Sequence, residues 1–108
     1  MEMLEWSLLT RPCFWKIIRV LVRENEVNIS HLLHATGLNY TVLRKCLRDM
    51  ENAGIVKVYR IARLRVVVLN WRHYTIPALY DLVRAIDGRL RVSEGRGEEK
   101  DGSLFRQV

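Results

Sequence analysis

The chain lacks several things that would point to whole classes of function. No apolar run in its 108 residues comes near the ~20 that a membrane-spanning helix needs, which excludes a helical span. It opens MEMLEW, with two acids and no basic stretch ahead of an apolar one, so no secretory leader is expected and the cytoplasm is the expected compartment. Cysteine is scarce. Cys13 and Cys46 allow one disulfide at most, and the preferred reading is two free, largely buried thiols in a reducing compartment. No Cys/His spacing matches a zinc site: His31 and His34 stand three apart in a helical stretch without a further ligand. Both are expected to be exposed, and His73 to be a loop residue. There is no glycine-rich phosphate loop, no nucleophile elbow and no paired metal ligands. Glu24, Asp49, Glu51 and Asp81 read as ordinary exposed helix positions. Neither an enzyme nor a cofactor is expected.

Acid is also in short supply, and its distribution is informative. The chain has 18 Lys+Arg against 12 Asp+Glu, a net charge of +6. Between Asn39 and Arg72 stand Arg44, Lys45, Arg48, Lys57, Arg60, Arg63, Arg65 and Arg72, against only Asp49 and Glu51. That third of the chain therefore holds the whole excess, and the remainder is neutral. A merely solvated surface would spread its charge, whereas a basic block on one contiguous segment is the electrostatic footprint of a polyanion partner.

Overlapping that block, Val27 to Val56 reads as two helices joined by a tight turn. Leu32 and Leu33 weight the first helix. Leu43, Leu47 and Met50 recur at spacings of four and three, which is one face of the second. Ser30 and Asn39 are the expected N-caps, and Gly37 and Gly54 the turn and the stop. Asn39, Tyr40, Thr41, Arg44, Lys45 and Arg48 fall on the side away from the leucines. The stretch Thr36-Gly37-Leu38, the leucine-spaced helix and Ala53-Gly54-Ile55-Val56 resemble the helix-turn-helix of winged-helix regulators of the ArsR and MarR kind. The resemblance covers roughly residues 12 to 88. It implies an α+β, mostly α, winged helix-turn-helix: a three-helix core, a two-stranded β wing and a C-terminal helix. It also implies double-stranded DNA as the partner, with the second helix in the major groove.

The flanking segments follow. Residues 1 to 11 form an apolar N-terminal extension, with Met3, Leu4, Trp6, Leu8 and Leu9 expected to pack on the domain or on a second subunit. Thr10 and Pro12 start a helix whose apolar face is Phe14, Ile17, Ile18, Leu21 and Val22. Phe14 and Trp15 are expected to be core rather than part of any cofactor site. The resemblance also implies a brief strand here that joins the wing sheet, and Val27 suits it. After Gly54 the pattern becomes extended, IVKVYRI and LRVVVLN. The Ile61-Ala62-Arg63 junction has no Gly or Asn, a weak hairpin signal. Lys57, Tyr59 and Ile61 should share one side of the first strand, and Arg60, Arg63 and Arg65 should crowd the tip. Thr75 and Pro77 start a last helix, expected to stop at Gly88. Its apolar girth exceeds what docking on one side needs, which makes Leu79, Leu82, Val83 and Ile86 the expected homodimer surface. Residues 89 to 108, rich in charge, Gly and Ser, read as a flexible tail.

The function expected is sequence-specific binding of double-stranded DNA in transcriptional regulation. Asn39, Tyr40, Arg44 and Lys45 would face base edges and nearby phosphates, Thr41 would contact the DNA from the same side of the helix, and Arg48, Arg60, Arg63 and Arg65 would hold the backbone. The alternatives are a protein-docking winged helix within a larger complex and a non-specific nucleic-acid binder. The basic helix face argues against the first. The second would need more exposed aromatics than Tyr40, Tyr59 and Trp71 supply.

Overall fold

A computed structural model describes residues 6–95, with side chains described through residue 88. The elements run α1 (Trp6–Leu9), α2 (Pro12–Glu24), β1 (Glu26–Asn28), α3 (Ile29–Thr36), α4 (Tyr40–Asn52), β2 (Val56–Ile61), β3 (Leu64–Leu69) and α5 (Ile76–Gly95). Three antiparallel strands form one sheet in the order β1-β3-β2. This is the α+β, mostly α architecture expected, with the brief strand around Val27 closing the sheet.

α2 is the central beam. Pro12 occupies its first turn, where the missing N–H has no intrahelical partner to lose. Phe14, Ile17, Ile18 and Leu21 are fully buried and meet Leu32 of α3, Leu43 and Met50 of α4, Val67 of β3 and Ile76 of α5 in one core. Trp15 sits at its edge, its indole N–H donating to the Leu9 carbonyl at 2.6 Å and fastening the short α1 to α2. Leu8 of α1 is buried in the same core. The rest of the apolar extension, residues 1–5, lies outside the described residues.

The helix-turn-helix forms for the reasons its residues dictate. The cap of α3 is Asn28, not Ser30: the Asn28 Oδ1 accepts from the His31 N–H at 2.8 Å. Ser30 lies one residue inside the helix. Gly37 follows with φ 70, a left-handed position that costs an L side chain energy and glycine nothing. The Asn39 Oδ1 then caps α4 through the Val42 N–H at 2.8 Å. At the far end Gly54 turns the chain at φ 80, and the Ile55 N–H bonds back to the Met50 carbonyl. Asn70, at the exit of β3, donates from its side chain to the Gly54 carbonyl and from its backbone to Ile55. The base of the hairpin is thereby tied to the end of α4.

Three further expectations need correction. Cys13 and Cys46 are bonded to each other, not free. Each lies on the buried face of its helix, so the α2–α4 packing that builds the core also brings the two sulfurs together. Thr10 does not cap α2. Arg11 holds that place with no side-chain cap, while the Thr10 hydroxyl donates to the Ser7 carbonyl. The last helix does not stop at Gly88, which adopts helical geometry inside α5; the helix runs on to Gly95. Gly88 has open space where a Cβ would stand, so only the glycine's helix propensity works against continuation. The first residues of the expected flexible tail, 89–95, are thus helical in backbone, and 96–108 lie outside the described residues. His73 is a loop residue, as expected, and it is buried. Its Nδ1 faces the Thr75 hydroxyl at 2.8 Å and accepts from the Thr75 N–H at 3.2 Å, which shapes the turn into α5.

Candidate nucleic-acid interface

α4 divides cleanly along its length. Leu43, Cys46, Leu47 and Met50 are buried, while Asn39, Tyr40, Thr41, Arg44, Lys45 and Arg48 are all exposed. Because the spacing of the leucines fixes which way the helix faces, the basic side chains are left pointing outward. Tyr40 and Arg44 are not independent. The guanidinium carbon of Arg44 lies 5.8 Å from the centre of the Tyr40 ring, a cation–π contact across one helical turn. The contact restricts the Arg44 rotamers before any partner arrives. Asn39, expected to face bases, has its carbonyl oxygen committed to the helix cap.

The acids on α4 are handled differently. Asp49, expected to be an ordinary exposed residue, is half-buried and accepts from the Arg11 guanidinium at 2.8 Å. Its charge is thereby partnered on the α2 side, beside the Cys13–Cys46 bridge. Glu51 stays exposed and lines a groove with Arg44, Leu47 and Arg48 on one wall and Val58 and Arg65 on the other.

That groove is where the hairpin meets α4. In the antiparallel register, Val56, Val58 and Arg60 pair with Leu69, Val67 and Arg65, and these side chains share the face turned toward the helices. Lys57, Tyr59 and Ile61 share the opposite face, as expected. The expected crowd of tip arginines therefore resolves into two sets. Arg65 is half-buried and walls the groove opposite Arg44 and Arg48, with Arg60 directly across from it in the ladder. Arg63 alone sits in the turn, fully out in solvent. That turn has two residues, and Ala62 takes φ 56 there. The hairpin thus forms without Gly or Asn, at the cost of one strained alanine, roughly 1–2 kcal/mol.

A shallow, positively charged surface thus runs from the exposed face of α4 across the groove to the hairpin, over a three-helix core. The fold is a winged helix-turn-helix. No protein-family model matches the sequence, and neither does any curated protein. Solved structures do match. The structure of NadR in complex with 4-hydroxyphenylacetate superposes with a TM-score of 0.67 at 18% identity, over 84% of this chain and 67% of that one. The AntR antimony-specific transcriptional repressor gives 0.64 at 12% identity, over 84% and 78%. Rv0081 of M. tuberculosis gives 0.61 at 22% identity, over 82% and 88%. At such identities the likeness is one of fold.

In winged-helix terms α4 is the recognition helix and β2–β3 the wing. Among the described residues no cluster of His, Cys, Asp or Glu is arranged to hold a metal ion, and no helix is long and apolar enough to cross a membrane.

The four residues expected to form a dimer surface do not lie together. Leu79 and Val83 are buried in the chain's own core, with Ile76 on the same stripe, and Arg19 of α2 holds Asp87 at 3.0 Å. Leu82 and Ile86 border that stripe and are exposed at 47% and 50%. Three features were not foreseen: the Arg11–Asp49 pair, the inward turn of Arg65 and the disulfide. The first depends on which helix end lies beside α4, which no local pattern encodes. The other two were signalled. Strict alternation puts Arg65 on the face of Val67 and Leu69, and Cys13 and Cys46 both follow the apolar period of their helices.

Proposed function

We propose that the protein binds double-stranded DNA in a sequence-specific way and acts in transcriptional regulation. One observation carries the reading: Arg44 and Arg48 of the recognition helix and Arg65 of the wing face one open groove, with Arg60 across from Arg65 and Asp49 paired with Arg11. An exposed helix of this kind fits the major groove, and a row of arginines beside it fits the phosphates that border that groove. Tyr40, Thr41, Arg44 and Lys45 reach base edges, Arg44 pre-oriented by Tyr40, while Arg48, Arg60, Arg63 and Arg65 hold the backbone. Proteins of similar fold include the AntR repressor, an ArsR-family transcriptional regulator and a DNA-binding protein, which supports the same reading.

The working form we propose is a cytoplasmic homodimer joined through α5. Leu82 and Ile86 stand one turn apart on its exposed side, and two copies would present two recognition helices to half-sites about one helical turn apart. Cys46 is fully buried, which shields the bridge from the reducing agents of that compartment.

The test is selection from a pool of random duplexes followed by band shift. An enriched motif with twofold symmetry is the expected result. Failure of the wild-type protein to shift any duplex at low salt would remove the DNA reading and leave a protein-docking module. Leu82→Glu with Ile86→Glu should move the mass in solution to that of one chain with the helical signal intact. A wild type already monomeric at roughly tens of micromolar would remove the dimer alone.

A further inference from the structure

The sheet has one covered face and one bare face. The side chains that alternate with Val56, Val58, Val67 and Leu69 point away from the helices. In cross-strand rows the bare face reads Glu26, Val68, Lys57, then Asn28, Val66, Tyr59, then Leu64 and Ile61 at the tip. Its middle strand is apolar throughout, yet Leu64, Val66 and Val68 do not pack against the core. Ile61 is 58% exposed and Leu64 54%. The free face of an antiparallel sheet is ordinarily polar, so these side chains are unneeded for the fold. The two edges of the face differ in sign. Glu26 stands on β1, where Glu24 adds a second acid to a hollow that Asn28, His31, Leu64 and Val66 also line. Lys57 stands on β2, while Arg60 and Arg65 belong to the opposite face.

We propose that this bare face is a contact between two copies of the chain, packed sheet to sheet about a twofold axis that runs along β3. The contact is distinct from the one through α5 and does not rest on duplex binding. The occupant is argued from charge and register. A twofold axis along the middle strand exchanges the two edges and keeps every residue in its own row. Glu26 of each copy then stands over Lys57 of the other, and Val68, Val66 and Leu64 each meet their own counterpart on the axis. Ile61 of each copy falls over the hollow beside Leu64 and Val66 of the other. An axis across the strands would instead set acid edge on acid edge and base edge on base edge. A nucleic acid would bring its phosphates against Glu24 and Glu26. The face is therefore complementary to itself. With the axis along the strands both wing tips point the same way, and both α4 helices stay on the outside with their arginines free. Three strands about 4.8 Å apart and six residues of about 3.3 Å make a face of roughly 14 by 20 Å. That is small beside the roughly 800 Å² per partner of a standard interface, so the contact alone is weak and fills only at high concentration.

The experiment measures mass by sedimentation for the full chain carrying Leu82→Glu with Ile86→Glu, so that α5 no longer contributes. The mass should be that of one chain at roughly tens of micromolar and approach that of two chains near roughly 1 mM. Lys57→Glu and Glu26→Lys, each added singly to this parent, should weaken association about tenfold or more, because each sets two like-charged pairs across the axis. An equimolar mixture of the two single variants should associate again, since one chain then has two acidic edges and the other two basic ones. Recovery between separate chains cannot come from a contact within either. Leu64→Ser should weaken association by a similar factor with the charges unchanged. Melting temperatures of all three should match the parent, because Glu26, Lys57 and Leu64 are exposed. A parent that stays at one chain up to roughly 1 mM overturns the sheet contact. So do single variants that associate as well as the parent, and single variants that do not recover on mixing. Each of these results leaves the α5 contact and duplex binding standing.

Discussion

The recognition helix and the wing are both basic and both exposed, yet they are held in opposite ways. α4 is fastened along its whole length: four buried side chains in the core, the Cys13–Cys46 bridge, the Arg11–Asp49 pair, and a capped start at Asn39. The wing is fastened at its base, where Val56, Val67 and Leu69 are buried and Asn70 ties it to Gly54, and by the pairing of β1 with β3 as far as Val66; toward the tip every side chain from Tyr59 to Leu64 is exposed. The contrast fits the two tasks proposed for them. Reading base edges needs an arginine held in a narrow range of positions, because bidentate hydrogen bonds tolerate little misplacement. Following a phosphate backbone needs reach, and a hairpin with an exposed tip supplies it.

The largest effect should come from loosening α4. Opening the disulfide, by reductant in partly denatured protein or by Cys13→Ala with Cys46→Ala, removes a cross-link between residues 33 apart in sequence. The expected loss is about 3–4 kcal/mol, read as a lower denaturant midpoint. An unchanged midpoint would mean that packing alone holds α4 and would weaken the contrast.

Next in size is the separation of the two arginine sets in binding. Arg44→Ala should cost about 1–3 kcal/mol on the selected duplex and relax preference at one base position. Arg63→Ala should weaken all duplexes alike and lower the slope of log affinity against log salt by about one unit. Two mutants that both weaken every duplex uniformly would make α4 a backbone contact and erase the division of labour.

A smaller effect belongs to the start of the recognition helix. Asn39→Ala removes the cap bonded to Val42 and should lower stability by about 1 kcal/mol. Asn39→Ser should restore most of it. If the serine variant recovers stability but not affinity, the Asn39 side chain has a role on DNA beyond the cap.

The smallest effect sharpens the wing. Ala62→Gly relieves a left-handed alanine but gains freedom in the unfolded chain, for a net stabilisation of about 0.5 kcal/mol, roughly 2–4 °C in melting temperature. A destabilised variant would show that the turn holds Ala62 by contacts rather than against strain.

How much of this was readable in advance depends on the range of the interaction. The buried and exposed sides of α4 follow from Leu43, Leu47 and Met50 at helical spacing, and the faces of the wing from strict alternation. Gly37, Asn39 and Gly54 mark their turns and cap because the preferences behind them are local. The weak hairpin junction misleads only about the turn type, since Ala62 adopts the conformation that glycine would adopt freely. Capping at the start of α3 was misplaced by two residues, Asn28 for Ser30, because both types cap well and only the strand before them decides.

The amino-acid sequence by itself determined the order of elements, the side of α4 that is left for a partner, and the concentration of positive charge on that side and the wing. Each follows from periodicity and composition within a few turns of chain. Tertiary structure alone decided that the buried faces carrying Cys13 and Cys46 meet sulfur to sulfur, that Arg11 neutralises Asp49, that the wing face carrying Arg65 lies against the side of α4 that bears Arg44 and Arg48, and that Leu79 and Val83 stay within their own core while Leu82 and Ile86 do not. These depend on how α2 crosses α4 and how α5 lies against α2. Those placements are set by the summed packing of a whole core, to which residues dozens of positions apart contribute at once.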